Sequence, residues 1–334
     1  MSVLPGPRGP LSEAVIAALS VPGVEGAWPA VPDDPFCEDL QLALYVCYEL
    51  HYRGFDRVAP AWEWDPDLLR LRAAMEDVFL SGLREVTDGG ADVPSVLEDL
   101  LVERADDEGV SHHLRDHAEL WQLREYVVHR SVYHLKEADP HAWVIPRLSG
   151  RAKAALVAVE FDEFGGGRAE MVHARLFADL MDELGLDSGY GFYLDRVPAP
   201  MLAIVNMMSL YGLHRRLRGA LVGHFAAAEI TTAPSADRID RGLRRLGVEA
   251  IFFSEHVEAD AVHELVLRRD VIGDLLLTEP DLAADVVLGV QTTQALEGRF
   301  ADHVLEHWRS TDGPRSSLRA GPLTPVRGTA EAAG

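Results

Sequence analysis

Apolar residues recur at intervals of three and four along almost the whole chain, and this period constrains the fold more than any other feature. It is the period of an α-helix with one buried face. The alternation of apolar and polar residues that marks a half-buried strand is nearly absent, and no internal repeat is visible. The sequence therefore predicts an all-α protein in which a helical bundle follows an N-terminal helical extension.

Proline and glycine mark most of the joints between the predicted helices, among them Pro140, the run 165–167 and Pro234. In the second half of the chain we expect helices over 112–138, 146–164, 168–185, 198–231, 235–246, 250–276 and 280–309. Both ends are rich in Pro, Gly, Ser and Arg, which is typical of disordered tails. The expected organisation is a disordered tail at 1–11, an N-terminal helical subdomain at 12–110, a core at 111–310 and a second disordered tail at 311–334.

The charge of the chain excludes two classes of partner. With 31 basic and 54 acidic residues, the formal net charge is −23, which repels nucleic acids and anionic membrane surfaces. No run of 18 apolar residues offers a membrane span. Cys37 and Cys47 form neither a CxxC pair nor a disulfide framework, which favours a reducing compartment. We therefore expect a cytoplasmic protein that binds neither nucleic acid nor membrane.

The segment "IFFSEHVEADAVHELVLRRD" carries polar residues on its apolar stripe. Five residues follow one another at intervals of 3, 4, 3 and 4 and therefore lie on one face of a helix: Phe253, His256, Asp260, His263 and Leu267. A carboxylate buried on such a face costs several kcal/mol unless it is paired or bound to a cation. This helix therefore needs a partner for its aspartate.

Carboxylates stand on apolar stripes elsewhere too, at Glu137, Glu163, Glu170 and Glu229, and His173 follows Glu170 on the same stripe. A single residue of this kind is more often a hydrogen-bonded core residue or a helix cap than a metal ligand. The H-x-x-x-D-x-x-H combination together with carboxylates on other helices favours a metal site, because carboxylates and imidazoles that converge from several helices are how bundle proteins hold paired iron or manganese. With Asp260 included and only one of Glu163 and Glu170 counted, four carboxylates and three neutral imidazoles carry a charge of −4, which two divalent cations would cancel.

Two stretches, "YHLKEADPHAWVIPRLSG" and "DEFGGGRAEMVHARLFADLMDELGLD", resemble the haem-oxygenase-like diiron oxidases and oxygenases, also called iron-containing redox enzymes. The resemblance covers about 120–275 and implies a haem-oxygenase-like bundle that holds two Fe²⁺ ions per chain. The metal ligands it implies are Glu137, Glu163, His173, Glu229, His256, Asp260 and His263. It implies no catalytic residue beyond these ligands.

One ligand has an alternative. Helix geometry alone favours Glu170, because Glu170-x-x-His173 is an i, i+3 metal pair. The spacing of the resembling family favours Glu163, which we expect to bridge the irons, with Glu170 beside it or in its place. The intervening glycines would let the chain stop one helix and turn into the next without a Cβ penalty.

The resemblance further implies an O₂-dependent oxidoreductase with a small-molecule substrate. The reactions it suggests are N-oxygenation of an amine, or oxidative desaturation or carbon–carbon cleavage of an amino or fatty acid. The substrate would lie between core helices, with Tyr126, Tyr133, Met207, Met208, Tyr211 and Phe225 as candidate lining residues. A homodimer is a candidate assembly. The alternatives are a haem-degrading or cofactor-free relative of the same fold, and a non-catalytic or iron-storage helical protein with a vestigial metal site.

Overall fold

The computed structural model describes residues 2–20, 28–102, 108–249 and 251–323, and the side chains in these ranges except those of 258–261. The described residues form helices and no strand, which confirms the all-α class, and Ser2 and Phe55 alone among them share an isolated bridge. The α-helices are α1 (Pro10–Ser20), α2 (Glu38–Glu49), α3 (Pro66–Glu85), α4 (Val93–Leu100), α5 (Val110–Asp116), α6 (Leu120–His134), α7 (Asp139–Ala142), α8 (Gly150–Glu163), α9 (His173–Glu183), α10 (Ala199–Leu213), α11 (Arg218–Arg245), α12 (Phe252–Val266), α13 (Gly273–Thr278) and α14 (Ala283–Trp308). A π-helical stretch, Leu267–Ile272, joins α12 to α13.

Helices α11 and α14 form the centre of the bundle and touch through their backbones. A Cβ atom on Gly223 would lie 2.1 Å from the carbonyl oxygen of Val286, and one on Gly289 would lie 2.0 Å from that of Ala220. Because no side chain fits at either position, glycine permits this close approach. Helices α5, α10 and α12 pack around α11, and α12 also packs on α8 and α9.

The N-terminal helices share the hydrophobic core of the bundle. Helix α2 is buried along nearly its whole length and packs against α10. The amide of Asn206 in α10 donates at 2.8 Å to both the main-chain and the side-chain carbonyl oxygens of Gln41. The division into a subdomain at 12–110 and a core at 111–310 therefore stays a prediction, while the contact between the two parts is extensive.

The segment predicted as one helix over 198–231 is two helices, and the predicted break at Pro234 is absent. His214 has extended backbone after the end of α10, where the guanidinium of Arg147 donates to the carbonyl oxygens of Gly212 and Leu213. This contact satisfies two carbonyls that a helix end leaves without partners. Pro234 lies inside α11, where the hydroxyl of Ser235 bonds to nearby main-chain carbonyls at 2.9 Å.

The chain ends are packed where the structure describes them, which differs from the predicted disorder. In the first tail, Arg8 donates to Glu38 at 2.7 Å. In the second, Ser317 is buried, and its main-chain N–H and hydroxyl both donate to Glu125 at 3.0 and 3.1 Å. Composition predicts disorder here because it does not reveal these individual long-range contacts. Within the described ranges, no helix has the length and hydrophobicity needed to cross a bilayer.

Candidate metal centre

Six of the seven predicted ligands meet between α6, α8, α9, α11 and α12. Their donor atoms form two groups, and within each group the atoms lie within 4.8 Å of one another. The first group consists of Glu137, Glu163, His173 and His256, and the second of Glu163, Glu229 and His263. Glu163 belongs to both groups. The side chain of the seventh predicted ligand, Asp260, lies outside the described residues.

The helix ends supply several of these side chains. Glu163 is the last residue of α8, and His173 is the first residue of α9. Glu137 follows the end of α6, while His256 and His263 stand two turns apart on α12. Side chains from separate elements thereby reach one buried region, which no single helix could provide.

The glycine run redirects the chain between Glu163 and His173. Gly165 has φ +75°, and a Cβ atom there would lie 2.6 Å from the main-chain nitrogen of Val172. The turn brings Nδ1 of His173 to 2.9 Å from Oε2 of Glu163. Glu163 is 3% exposed, whereas Glu170 is an exposed residue. The structure therefore brings Glu163, and not Glu170, into the cluster.

The second group is centred on His263. Its Nδ1 lies 3.2 Å from Oε2 of Glu229 and 3.6 Å from Oε1 of Glu163. Its Nε2 lies 3.2 Å from Oδ2 of Asp162. If Asp162 accepts the proton of Nε2, the lone pair on Nδ1 faces the two glutamates, as a metal-ligating imidazole requires.

Neighbouring groups likewise orient the first group. Nδ1 of His256 donates to the carbonyl oxygen of Phe252 at 2.7 Å. Nε2 therefore carries the lone pair, and this nitrogen lies 3.9 Å from Oε2 of Glu137. Nδ1 of His134 lies 2.9 Å from the same glutamate oxygen. Sequence reasoning missed His134 and Asp162. Two sequence features could have pointed to them: His134 pairs with Glu137 at i, i+3, and Asp162 directly precedes Glu163.

The pKa shifts suit a cation site. Burial alone would raise the pKa of Glu137, but the imidazoles of His134, His256 and His173 outweigh burial and hold that pKa at about 2. Burial lowers the pKa of His256, against the opposing effect of Glu137. The Glu137 carboxylate is therefore ionised at pH 7, and burial disfavours the charged form of the His256 imidazole beside it.

Glu160 is a further buried acid that sequence reasoning missed, although it lies one helical turn before Glu163. It is 2% exposed, and neither carboxylate oxygen has a hydrogen-bond partner among the described residues. Burial, then the charges of Glu163 and Asp139, raises its pKa to about 9. Glu160 is therefore a neutral carboxylic acid at pH 7.

The two groups fit a pair of divalent iron ions. Their donors are carboxylate oxygens and imidazole nitrogens, which iron accepts readily. Oε1 of Glu163 is buried without a hydrogen-bond partner among the described residues, which is costly unless a cation uses it. Since Glu163 stands in both groups, one carboxylate could contact both ions.

A cavity of about 520 Å³ leads to the first group and is bordered by Glu137 and His256. Tyr126 and Tyr133 line it, as predicted. Met207, Met208 and Tyr211 are buried core residues that do not line it. Phe225 borders a second cavity of about 20 Å³ beside Glu137, Glu163 and Glu229. The large cavity has the size of a small-molecule site.

The fold is an all-α bundle whose helices bring together a cluster of possible glutamate and histidine metal ligands. A model of the iron-containing redox enzyme family matches residues 124–298, and the chain belongs to this family. This confirms the family that the sequence motifs indicated.

Two known proteins are similar to the chain. A nitrosourea synthase of Streptomyces achromogenes subsp. streptozoticus is 25% identical over 224 residues, which are 66% of this chain and 44% of that protein. The chain thus spans less than half of that relative's length. A crystal structure of a CADD-like protein of unknown function from Nostoc punctiforme PCC 73102 aligns with a TM-score of 0.49 and 18% identity, over 64% of this chain and 99% of that one.

Proposed function

We propose that this protein is a non-haem diiron oxidase or oxygenase that uses O₂ to oxidise a small molecule. The observation that carries the proposal is the presence of Glu163 in both donor groups. A carboxylate shared in this way holds two cations near each other, and paired iron in helical bundles is coordinated by carboxylates and histidines.

Each iron would have its own ligands. Glu137, His173 and His256 would hold one ion and Glu229 and His263 the other, with Glu163 between them. Asp260 is proposed as a further ligand from the family resemblance. When bound, ferrous iron supplies the electrons that reduce dioxygen, a reaction for which protein side chains alone are not suited.

The chain's own residues orient the site and keep water out. The carbonyl of Phe252 fixes the ring of His256, and Asp162 fixes that of His263. Glu160 holds a proton within one helical turn of Glu163. Aromatic side chains along the cavity would seat the substrate and limit the entry of solvent.

Of the reactions that the family resemblance suggests, we favour oxidation at nitrogen. The name nitrosourea synthase denotes a product with a nitroso group on a urea nitrogen, and that enzyme is similar to two thirds of this chain. Desaturation or carbon–carbon cleavage of an amino or fatty acid is the second candidate within the same chemistry. Cytoplasmic location and a homodimer stay proposals.

Anaerobic loading with ferrous iron tests this function. The metal bound per chain is counted, oxygen is admitted in a stopped-flow instrument, and the visible spectrum is followed. Two irons per chain and a transient absorption that decays faster when substrate amines are present support the oxygenase. A Soret band on addition of haem indicates the haem-degrading alternative, and slow featureless oxidation indicates iron storage.

A further inference from the structure

His224 on α11 holds a buried nitrogen that the proposed metal chemistry does not use. Its side chain is 1% exposed and lines the same 520 Å³ cavity as Glu137 and His256. Nδ1 lies 2.8 Å from the hydroxyl oxygen of Thr293, whereas Nε2 has no hydrogen-bond partner among the described residues. A buried polar atom without a partner calls for an explanation in a native protein.

The hydrogen bonds fix which nitrogen of His224 carries the proton. The hydroxyl of Thr293 donates its only proton to the carbonyl oxygen of Gly289 at 2.7 Å. The threonine oxygen can therefore only accept from His224, so Nδ1 is protonated and Nε2 carries a lone pair. Burial, opposed by Glu297, lowers the pKa of His224 to about 4, which keeps the ring neutral. Nε2 is thus a fixed hydrogen-bond acceptor.

A second neutral imidazole stands beside it. The ring centroids of His141 and His224 are 5.3 Å apart, and His141 stacks on Phe225 at 4.0 Å with an interplanar angle of 10°. Neither ring nitrogen of His141 has a hydrogen-bond partner among the described residues. His141 borders the small cavity that contains the ligands Glu137, Glu163 and Glu229. Imidazole nitrogens without hydrogen-bond partners among the described residues therefore belong to a residue of the large cavity, His224, and to a residue of the small cavity, His141.

The charged groups of the cavity favour a hydrogen-bond donor over an anion. Arg130 makes a bidentate ion pair with Glu297 at 2.8 and 2.6 Å, so its charge is neutralised. Arg238, which also lines the cavity, donates to the hydroxyl of Ser111 at 2.9 Å. Glu137 and His224 both line this cavity, the first with a carboxylate and the second with an imidazole whose Nε2 has no hydrogen-bond partner among the described residues.

We propose that Nε2 of His224 accepts a hydrogen bond from an N–H group of the substrate, so that the substrate is an amine, amide or guanidine rather than a fatty acid. The proposal rests on the function proposed above and narrows its substrate class. An alkyl chain in this position would leave Nε2 buried and unpaired. A carboxylate would set its own lone pairs against that of Nε2. An N–H group satisfies the acceptor, in the cavity that Glu137 and His256 also line.

Metal-free protein tests the proposal without depending on iron. The probes are two pairs of similar shape, benzylamine with ethylbenzene and hexylamine with heptane. ¹⁵N NMR of the imidazoles follows Nε2 of His224, which is assigned by its loss in His224→Leu. We expect each amine to shift this resonance and each hydrocarbon to leave it unchanged. We expect His224→Leu to weaken amine binding about fivefold to tenfold while hydrocarbon affinity stays the same.

Thr293 provides the matched control, because its hydroxyl fixes the proton on Nδ1. Thr293→Val removes the acceptor that fixes the proton on Nδ1 of His224, so it should reduce the preference for amines. Thr293→Ser keeps the hydroxyl and should retain that preference. If no amine binds at millimolar concentration or shifts Nε2, the acceptor serves a water only and the proposal is overturned. Equal loss of amine and hydrocarbon affinity in His224→Leu also overturns it. Failure of iron loading would instead refute the diiron function, whatever the NMR result.

Discussion

Lys136 and Glu49 form a buried ion pair that joins the N-terminal helices to the candidate metal centre. Nζ of Lys136 lies 3.4 Å from Oε2 of Glu49, and the two side chains are 2% and 1% exposed. The phenol of Tyr190 donates to Glu49 at 2.8 Å, and Nζ lies 4.8 and 4.5 Å from the ring centroids of Tyr45 and Tyr52. Since Lys136 directly precedes Glu137, helix α2 positions the backbone of a proposed ligand.

Replacing Lys136 with Met should lower the free energy of unfolding by about 3–5 kcal/mol, because Glu49 is then left buried without its cation. It should also weaken iron binding, since Glu137 loses its anchor. Denaturant unfolding and anaerobic iron titration measure the two effects. The control is Arg241→Met, which breaks the exposed pair with Asp237 and should cost less than about 1 kcal/mol. Equal losses in both variants would refute the anchoring role.

Glu160→Gln should make the metal-free protein less sensitive to pH. The pKa of Glu160 is raised to about 9 in the folded state, above the value of about 4.3 expected in the unfolded chain. The stability it contributes is therefore fully present below pH 4.3 and is lost as pH rises toward 9. Relative to the wild type, the variant should gain roughly 2–4 kcal/mol between pH 4.5 and pH 7. Unfolding curves at several pH values check this, and a constant difference would contradict it.

Gly165→Ala should damage the turn between Glu163 and His173. The added Cβ would lie 2.6 Å from the main-chain nitrogen of Val172, in addition to the strain of φ +75°. Gly247 is a matched control, since it also has φ +75° but no atom within 4 Å of an added Cβ. We expect Gly247→Ala to cost about 1–2 kcal/mol and Gly165→Ala clearly more, with reduced iron affinity only in the latter. Similar unfolding free energies for both variants would exclude the steric account.

Periodicity, which a linear pattern records, predicts the helical class, while the resemblance to a known family implies the six side chains that converge. Helix geometry alone favours Glu170, whereas the family resemblance favours Glu163, which is the glutamate that the structure brings into the cluster. Both precede His173, and only the turn at Gly165 determines which one is buried. At Pro234 the rule that proline ends a helix gives the wrong prediction. Helix α11 continues through this residue, and next to it the hydroxyl of Ser235 donates to a main-chain carbonyl.

His141 and His224 could not be identified from the sequence, since their importance depends on neighbours distant in the chain. His224 is informative only because α11 and α14 approach closely enough at Gly289 for Thr293 to reach it. Such contacts exist only in the tertiary structure. The ligand types of the candidate metal centre therefore followed from the family resemblance, while the part played by His141 and His224 followed only from the structure.

Iron stoichiometry in Glu163→Gln and Glu170→Gln tests the central claim most directly, because the two glutamates flank the same turn and only Glu163 joins both donor groups. Each protein is loaded anaerobically with ferrous iron, freed of excess metal, and assayed for iron per chain. The account predicts two irons in the wild type and in Glu170→Gln, and fewer than one in Glu163→Gln. Two irons in Glu163→Gln, or their loss in Glu170→Gln, would contradict it.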